Sequence, residues 1–321
     1  MRSKLVACGM YLPEKRLSND YFAEILDTSD EWIKSRTGIL YRHIAADDEM
    51  TSDLATSALK SACDKHNIDP NSIDGIIVAT TTPDKIFPAV ATTVQAKLGI
   101  SSTCCMALDV NAVCTGFIYA LAVADSFIKS GVAKRIAVIG AETMSRIVDW
   151  EDRSTVVLFG DGAGAFILEA ADEDEKDVGF QNFELHADGS LNEILHVPGG
   201  PSSRNLDAKL AMNGREVFKV AVTNGSKVTK SVMEKSGWSA ADLDYFIMHQ
   251  ANMRILDAVA DKLSFDHDKV IRTISDHANT SAASIPLAFC ETFNSSIPKG
   301  KSMIFTGFGG GMTWGSVCLR V

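Results

Sequence analysis

The sequence predicts an α/β fold, because short apolar runs with the pattern of buried strands alternate with helical patterns along its 321 residues. A weak internal repeat makes the expectation more specific: residues 72–78 resemble residues 242–248, and residues 135–140 resemble residues 302–307. Each half also has a glycine-rich turn before an apolar strand, at residues 160–164 and 309–311. We therefore predict a duplicated α/β unit whose halves face each other, although any two α/β halves would share part of this pattern.

In the first half, apolar runs predict strands at residues 4–11, 73–80, 107–113 and 135–140. Thr51 is placed to cap a helix. Apolar residues then recur at helical spacing on one face of that helix, at Leu54, Ala58, Leu59 and Ala62. Two further helical patterns cover residues 89–98 and 115–129, and the second of these ends at Gly131.

A charged run at residues 172–177 divides the chain near its midpoint, and its composition is typical of a solvated connector. We therefore predict an N-terminal half at residues 1–171 and a C-terminal half at residues 172–321. In the second half, a strand is predicted at residues 245–248, and a helix of small residues follows Asn279. Ligand sites are then expected at strand ends along the junction of the two halves.

Composition excludes several classes of function. The chain has 31 basic and 41 acidic residues, a formal net charge of −10, which argues against a general surface for nucleic acid or for anionic membranes. No run approaches the roughly 18 apolar residues of a membrane span. The apolar run after the basic N-terminus stops at Pro13 without a cleavage site, so it predicts a first strand and not a secretory signal. We therefore predict a cytoplasmic protein.

The seven cysteines are scattered and include no C-x-x-C pair, so neither a disulfide framework nor a zinc cluster is predicted, and we expect no metal. Six of them are interpreted as small core residues in a reducing compartment: Cys8, Cys63, Cys104, Cys105, Cys290 and Cys318. The glycine turns fail as nucleotide-binding motifs. Ser295 stands where a Walker A motif needs glycine, and Met312 stands where G-x-G-x-x-G needs its last glycine. We therefore predict no cofactor.

Cys114 differs from the other cysteines by its position, where a predicted strand ends and a long helix begins. The positive end of a helix dipole favours a thiolate. The small neighbours Ala112, Thr115 and Gly116 would leave room for a substrate. The position therefore suits a nucleophile, although a buried structural cysteine is the simpler reading of most thiols.

Two candidate partners of this nucleophile lie in the second half of the chain. His249 follows the strand predicted at residues 245–248, which is the counterpart of residues 76–79, so His249 should emerge at the junction. Asn279 precedes the helix of small residues. Taken singly, a histidine at a strand end is usually a hydrogen-bonding residue, and an asparagine there is usually a cap or a turn.

Taken together, several segments resemble β-ketoacyl-[acyl-carrier-protein] synthase III, the initiating condensing enzyme of type II fatty-acid synthesis. The similar segments run in family order along nearly the whole chain: residues 28–33, 36–39, 111–116, 159–164, 249–252, 279–281 and 307–316. Single motifs of this set are weak, but their common order and spacing are specific. The resemblance implies a thiolase-like fold, with two duplicated βαβαβαββ halves in α-β-α-β-α layers.

By this resemblance, Cys114 carries the acyl group, and His249 and Asn279 are its catalytic partners. The implied reaction is ping-pong. Cys114 takes the acyl group of a primer acyl-CoA, and malonyl-acyl-carrier-protein then loses carbon dioxide and attacks the acyl thioester. The His249 Nε2 and the Asn279 amide would stabilise the charge that decarboxylation builds on the thioester oxygen. The backbone N–H groups of Cys114 and Gly310 would form the oxyanion hole for the acyl carbonyl.

The resemblance also implies how CoA and the carrier protein bind. The implied CoA site consists of Trp32, Arg36, Arg153, Met212, Gly214 and Asn252. Trp32 and Arg153 would sandwich the adenine, and Arg36 would meet phosphate charge. A basic patch for an acidic carrier protein is expected at Arg215, Lys219, Arg254 and Lys262. Taken alone, each of these is more simply a surface aromatic residue or a solvated charge.

Phe87 matches a residue that reaches across a dimer interface and shortens the acyl pocket of the partner subunit. We therefore expect a homodimer and a preference for short straight primers such as acetyl-CoA. The chain departs from the family pattern at His277 and Ala278, where an aromatic residue and a glycine usually precede the catalytic asparagine. We expect Ala278 to have backbone angles that suit a non-glycine residue, and His277 to add a titratable group near the site.

Other functions on the same fold fit less well. A thiolase would have a second cysteine at Gly307, an elongating condensing enzyme would have a histidine at Asn279, and hydroxymethylglutaryl-CoA synthase would need a glutamate base that no motif supplies. A non-decarboxylating acyltransferase or a specialised condensing enzyme remains the alternative, because acylation of Cys114 would be the same. The joint presence of Cys114, His249 and Asn279 argues against an inactive carrier-protein-binding module.

Overall fold

A computed structural model of the chain describes residues 2–101, 105–172, 175 and 177–321, so Cys104 and part of the charged run at 172–177 lie outside the described residues. The strands are β1 (Ser3–Tyr11), β2 (Arg16–Ser18), β3 (Tyr41–His43), β4 (Gly75–Ala79), β5 (Met106–Val110), β6 (Arg135–Thr143), β7 (Asp161–Ala170), β8 (Gly179–Ala187), β9 (Leu195–His196), β10 (Ala211–Met212), β11 (Tyr245–Met248), β12 (Ser302–Gly309) and β13 (Thr313–Arg320). The helices are α1 (Asn19–Ile25), α2 (Asp30–Thr37), α3 (Thr51–His66), α4 (Val90–Lys97), α5 (Gly116–Lys129), α6 (Gly214–Ser236), α7 (Met253–Leu263), α8 (Ile274–His277) and α9 (Ser284–Thr292).

Two sheets carry the fold, and they share one strand order. The first sheet has the order β1-β7-β6-β4-β5, with β7 antiparallel to β1 and β6, and with β4 parallel to β6 and β5. The second has the order β8-β13-β12-β11, with β13 antiparallel to β8 and β12, and with β11 parallel to β12. The common order and directions confirm the predicted duplicated α/β fold. The proposed boundary at residue 171 falls between the end of β7 and the start of β8.

The second half departs from the expected βαβαβαββ pattern at one strand. The equivalent of β5 would follow α7, but the described chain forms only a single parallel bridge there, between Phe246 and Val270. The Ile271 N–H donates to the Phe246 carbonyl at 3.0 Å, and the Thr273 N–H then donates to the Gln250 side chain at 2.9 Å. The chain therefore turns toward a side chain instead of continuing a strand ladder.

The helices form layers around the two sheets. α3 packs on β1, β6 and β7 at the outer face of the first sheet, and α6 packs with α7 against the second sheet at β12 and β13. Both α5 and α9 contact strands of both sheets and therefore lie between them. This is the expected α-β-α-β-α arrangement. No helix in the described part of the chain is both long enough and apolar enough to cross a membrane.

An aromatic cluster fills the central layer and joins the halves. The ring of Phe166 on β7 lies 5.1 Å from that of Phe117 on α5 and 4.9 Å from that of Phe289 on α9, measured between centroids. Phe305 on β12, in the second sheet, lies 6.0 Å from the same ring. All four side chains are fully buried. Burial of large apolar surface at this one point stabilises both halves together.

The start of α3 differs from the sequence prediction. Thr51 is the first residue of the helix and not its cap, and its hydroxyl donates to the Thr82 carbonyl at 2.6 Å. The Asp53 carboxylate accepts the Met50 N–H at 3.0 Å, so an acidic side chain in the first turn satisfies the helix start. The Thr51 hydroxyl instead holds the segment that follows β4.

Gly140 allows the two halves to approach each other beside the junction. A Cβ atom at Gly140 would lie 2.3 Å from the Ala282 carbonyl oxygen, so no side chain fits there. The chain that follows Asn279 is thereby held directly against β6. This contact joins the first sheet to the loop that carries a predicted catalytic residue.

Candidate active site

A cavity of about 480 Å³ lies between the halves, and the predicted catalytic residues line it together. Cys114 comes from the turn before α5, His249 from the end of β11 and Asn279 from the loop before α9. Each of these side chains is buried. Much of the remaining wall is apolar, including Met144, Phe159, Leu195, Leu210, Met212 and Phe308. The cavity therefore combines a thiol and two polar side chains with a surface suited to an acyl chain.

A strained turn presents Cys114 to the cavity. Cys114 is the middle residue of the 3₁₀ turn Val113–Thr115, and α5 begins at Gly116. Val113 has a φ of 48°, a left-handed conformation that is rare for a β-branched residue and costs on the order of 1–3 kcal/mol. The surrounding structure must therefore hold this turn in a strained conformation. The turn places the thiol just before the start of α5.

The glycine turn after β12 packs against the backbone of this nucleophile. A Cβ atom at Gly309 would lie 2.7 Å from the Cys114 nitrogen, so this approach requires glycine. Gly310, the predicted second oxyanion donor, is the next residue of the same turn. Its N–H therefore belongs to the segment that contacts the Cys114 turn, and its role in an oxyanion hole stays a prediction.

Burial raises the pKa of the Cys114 thiol to about 12, while a hydrogen bond with the Ser281 side chain favours the thiolate and the charge of Glu142 opposes it. Burial therefore opposes the thiolate that a helix start is expected to favour. Desolvation of the charged form outweighs the dipole because the thiol is fully enclosed. Cys114 consequently needs a proton acceptor before it can act as a nucleophile.

His249 is held as a neutral hydrogen-bond donor. Burial lowers the pKa of its imidazole to about 3. Nδ1 lies 2.7 Å from Ser284 Oγ, and that oxygen accepts the Gln250 N–H at 3.3 Å. The serine hydrogen is therefore available to Nδ1, and we infer that Nε2 carries the ring proton. The Phe308 ring packs edge-on against the imidazole at 5.3 Å between centroids.

Asn279 is fixed through its backbone and its side-chain oxygen. Its N–H donates to the Leu158 carbonyl at 2.9 Å, and its own carbonyl accepts the Gly160 N–H at 3.1 Å. Its side-chain Oδ1 accepts the Ser281 N–H at 2.9 Å. The amide nitrogen is the group left to donate to a ligand, which is the role that the sequence predicts for it.

The residues before Asn279 differ from expectation. Ala278 has a φ of 56° and a ψ of −158°, angles that favour glycine, so the prediction that its angles suit a non-glycine residue is wrong. His277 Nε2 lies 2.5 Å from the Glu291 carboxylate, and the ring packs 5.6 Å from that of His43. His277 is not among the described residues that line the cavity. The hydrogen bond to Glu291 therefore turns this titratable group away from the reacting atoms.

The predicted adenine sandwich is closed in this structure. The Arg153 guanidinium lies over the Trp32 ring at 5.3 Å from its centroid, and Arg153 also bonds to the carbonyl and carboxylate of Asp27. A planar base cannot lie between the two side chains until Arg153 moves. The cation–π contact still shows that the ring presents a face on which a base could stack.

The other predicted CoA residues line the cavity directly: Arg36, Met212, Gly214 and Asn252. A Cβ atom at Gly214 would approach only the Met212 methyl group, at 3.7 Å, so Gly214 borders open space. Asn252 caps α7, because its Oδ1 accepts the Arg254 N–H at 2.9 Å, and its amide donates to the Arg36 carbonyl at 3.1 Å. Asn252 thereby ties the segment of Arg36 to the start of α7.

The predicted basic patch divides into two parts. Arg215 and Arg254 line the cavity beside Arg36, and Lys219 lies one turn further along α6. Lys262 lies in the last turn of α7, beside a separate depression that Trp238 also lines. The structure therefore brings the two arginines of the patch together at the cavity but does not bring Lys262 to it.

Phe87 lies on the surface of the single chain. Its side chain is 82% exposed, and its neighbour Ile86 is 67% exposed. Strand β5, at the edge of the first sheet, is only partly buried along its whole length. Exposed apolar groups and an open strand edge are each typical of an interaction surface.

Sequence reasoning assigned no role to the polar residues behind the predicted catalytic ones: Glu142, Ser281 and Ser284. Ser281 and Ser284 belong to a run of small residues that predicts only a helix. Glu142 ends an apolar strand, where a solvated position is the ordinary expectation. The signal that could have singled it out is a lone glutamate directly after the uninterrupted run of apolar residues and glycine at residues 136–141.

Comparisons with known proteins place the chain in a family context. Residues 108–189 match the family model described as 3-oxoacyl-[acyl-carrier-protein] synthase III, and residues 233–321 match its C-terminal model. The chain is 51% identical to the β-ketoacyl-[acyl-carrier-protein] synthase III of Erythrobacter litoralis, covering 100% of this chain and 99% of the relative. It is 52% identical to that of Novosphingobium aromaticivorans, with the same coverage. The crystal structure of 3-oxoacyl-[acyl-carrier-protein] synthase III from Aquifex aeolicus superimposes with a TM-score of 0.93 at 45% identity, over 99% of this chain and 100% of the other.

Proposed function

Because this chain belongs to the family of β-ketoacyl-[acyl-carrier-protein] synthases III, we propose that Cys114 carries the acyl group and that His249 and Asn279 support the condensation. Membership makes the chain an acyltransferase that catalyses the initiating condensation of fatty-acid synthesis. One observation carries the residue assignment: three side chains from distant segments line one buried cavity. We also propose that residues 1–171 supply the nucleophile and that residues 172–321 supply its partners.

In the first half-reaction, the Cys114 thiolate attacks the thioester carbon of an acyl-CoA. The bond to the CoA sulfur breaks, and CoA leaves. Negative charge develops on the carbonyl oxygen, where the N–H groups of Cys114 and Gly310 would donate. The apolar cavity wall accommodates the acyl chain. Trp32 and Arg153 would take the adenine after they separate, and Arg36 would meet phosphate charge.

In the second half-reaction, malonyl-acyl-carrier-protein enters the same cavity and loses carbon dioxide. The developing negative charge on its thioester oxygen would accept hydrogen bonds from His249 Nε2 and the Asn279 amide. Neutral donors suit this step, because they stabilise the oxyanion without protonating the carbanion. The low pKa of His249, about 3, supports a neutral ring at this stage. The carbanion then attacks acyl-Cys114, and the thiolate leaves.

The partners follow from the same assignment. The carrier protein would dock at the cavity mouth, where Arg36, Arg215 and Arg254 converge and where Lys219 adds charge nearby. An acidic protein such as this one needs such a local patch to attract an acidic carrier. We propose a cytoplasmic homodimer in which exposed Phe87 reaches the acyl pocket of the partner subunit. A bulky aromatic ring there favours short straight primers such as acetyl-CoA.

A mass spectrum of the protein tests this function directly. After incubation with acetyl-CoA we expect one acetyl adduct on the peptide that contains Cys114. Addition of malonyl-acyl-carrier-protein should remove the adduct, with release of carbon dioxide and formation of a four-carbon β-ketoacyl product. Cys114→Ser should form no stable adduct.

Other outcomes separate the alternatives. An adduct that malonyl-acyl-carrier-protein removes without release of carbon dioxide would favour a non-decarboxylating acyltransferase. An adduct of unchanged amount in Cys114→Ser would exclude Cys114 as the nucleophile. His249→Ala and Asn279→Ala are expected to acetylate but to lose decarboxylation, and normal decarboxylation in both would contradict their assigned roles.

A further inference from the structure

Ser284 carries a buried hydroxyl that the reaction steps above do not use. It is the first residue of α9, and its Oγ lies 2.7 Å from His249 Nδ1. The same oxygen accepts the Gln250 N–H at 3.3 Å. Ser284 is not among the described residues that line the cavity. Its hydroxyl therefore contacts the imidazole from behind, on the side away from the substrate.

The hydrogens at this oxygen fix the direction of its bond to His249. A hydroxyl has one hydrogen and two acceptor sites, and the Gln250 N–H occupies one of these sites. If an Nδ1–H group donated to the other site, the serine hydrogen would have no acceptor among the described residues. A buried polar hydrogen without an acceptor is unfavourable. The Ser284 hydroxyl therefore donates to Nδ1.

The direction of this bond determines the tautomer of the ring. A neutral imidazole has one N–H group, so an Nδ1 that accepts a hydrogen bond leaves the hydrogen on Nε2. Nε2 can then donate to the thioester oxygen of malonyl-acyl-carrier-protein. In the other tautomer, Nε2 would present a lone pair to that oxygen and would repel the charge that decarboxylation builds there.

The other contacts of His249 hold the residue in place but do not distinguish its two ring nitrogens. The His249 N–H donates to the Thr306 carbonyl at 2.8 Å, and the His249 carbonyl accepts the Ala251 N–H at 2.9 Å. The Phe308 ring packs edge-on against the imidazole. In the part of the chain that the structure describes, Ser284 alone bonds to a ring nitrogen of His249.

We propose that Ser284 is a positioning residue that holds His249 in the tautomer with its hydrogen on Nε2, an inference that rests on the proposed role of His249 in decarboxylation. Ser284 acts through the imidazole and transfers no proton, so its hydrogen stays on Oγ throughout the cycle. The role concerns only the second half-reaction. Loss of the hydroxyl should therefore impair decarboxylation and leave the acylation of Cys114 intact.

A hydroxyl suits this position better than a carboxylate would. A carboxylate beside Nδ1 would stabilise the imidazolium form of the ring. An imidazolium can protonate the carbanion and end the reaction before the carbon–carbon bond forms. The Ser281 hydroxyl, on the same run of small residues, is engaged elsewhere, because it donates to the Glu142 carboxylate at 3.0 Å.

Magnetic resonance of the histidine ring nitrogens tests the proposal without any CoA substrate. The seven histidines are labelled with ¹⁵N, and the His249 signals are identified by their absence from His249→Gln. Two-bond couplings between ring hydrogens and nitrogens distinguish the two neutral tautomers. In the wild type we expect the Nε2–H tautomer at neutral pH. In Ser284→Ala the ratio of Nε2–H to Nδ1–H should fall by about tenfold or more, because no hydroxyl then penalises the second tautomer.

Kinetics give a second readout, which a general loss of structure would not reproduce. Acetylation of Cys114 by acetyl-CoA should keep its wild-type rate in Ser284→Ala. Decarboxylation by the acetylated enzyme should fall by about two- to tenfold, since fewer molecules present a donor at Nε2 and the ring has lost one hydrogen bond. Equal losses in the two half-reactions would overturn the positioning role.

Thr292→Ala is the matched control. It also removes a hydroxyl from α9, one that donates to the Ala288 carbonyl within the helix, and it should keep the wild-type tautomer and both rates. A shift of the tautomer in this control would overturn the proposal. So would a wild type with the hydrogen on Nδ1, or an unchanged tautomer in Ser284→Ala.

A second variant covers the case in which Ser284→Ala folds poorly by circular dichroism. Ser284→Cys keeps a side chain of similar size but replaces a strong donor with a weak one, so both tautomers are expected there. A single Nε2–H tautomer in Ser284→Cys would overturn the proposal equally. Failure of acetyl-CoA to acylate the wild type would refute the proposed function and leave the tautomer measurement readable.

Discussion

The backbone around this site is strained at the residues next to the reacting groups. Val113 precedes Cys114, Ala278 precedes Asn279, and Ser281 follows it by two positions, and all have positive φ values without being glycine. Each such residue costs on the order of 1–3 kcal/mol, and packing must supply that energy. Strain at these positions is consistent with side chains that are held in place before a substrate binds.

The strain at Ala278 can be tested by substitution. Ala278→Gly should stabilise the protein by about 1 kcal/mol, because glycine accepts the observed angles and its extra entropy in the unfolded chain offsets part of the gain. Urea unfolding measures the change. Ala283→Gly is the matched control, since Ala283 has an ordinary φ of −75° and should lose about 1 kcal/mol. Equal losses of unfolding free energy in both variants would show that the backbone at Ala278 is not strained.

His249 should make stability depend on pH in the acidic range. Its pKa falls from 6.5 to about 3 on burial, so below pH 6.5 the unfolded chain binds a proton that the folded protein excludes. Stability from this group is complete above pH 6.5 and is lost as pH falls toward 3. Between pH 7 and about pH 5, the wild type should lose about 2 kcal/mol more than His249→Gln in urea unfolding. Equal losses would show that the imidazole is protonated in the folded state.

At the scale of elements, we expect the aromatic cluster in the central layer to couple the stability of one half to that of the other. Phe166→Ala removes a ring that packs against Phe117, Phe289 and Phe305, and should cost about 3–5 kcal/mol in urea unfolding. Leu206→Ala, at a side chain that is 70% exposed, should change stability by less than about 0.5 kcal/mol. A loss at Phe166 no larger than the loss at Leu206 would contradict a shared core.

Regular elements, and the candidate catalytic residues that follow them, could be predicted from the sequence. β1, β4 and β11 are apolar runs whose burial follows from composition, and Cys114 and His249 stand out because each follows such a run. Long-range contacts were not accessible in this way. The buried carboxylate of Glu142 is satisfied by threonines that follow another strand and by Ser281. The residues next to Glu142 in the sequence do not indicate these contacts.

The conformation of short segments was the other gap. The positive φ of Val113 and Ala278 arises from tertiary packing, because neither residue favours it locally. The raised pKa of Cys114 could not be predicted from the sequence for a related reason. The helix dipole is a local property and can be inferred from sequence, but complete desolvation depends on the whole cavity.

At the scale of the whole molecule, the proposed homodimer can be tested through Phe87. Sedimentation equilibrium of the wild type should give twice the chain mass of 34.6 kDa. Phe87→Glu places a charge on the proposed interface and should weaken dimerisation by about tenfold or more. Leu206→Glu, a comparable charge at another exposed apolar position, should remain dimeric. A monomeric wild type would contradict the proposal.

The common strand order of the two sheets also allows their strand ends to be compared position by position. The two sheets have equivalent positions at the ends of corresponding strands, and these positions hold different residues. Thr80 follows β4 as His249 follows β11, so the threonine occupies the place of the imidazole in the other repeat. There its hydroxyl binds Glu142, and the space is closed by the same threonine segment. The two equivalent strand ends therefore serve different purposes: one places an imidazole at the cavity, and the other places a threonine among the donors that surround a buried carboxylate.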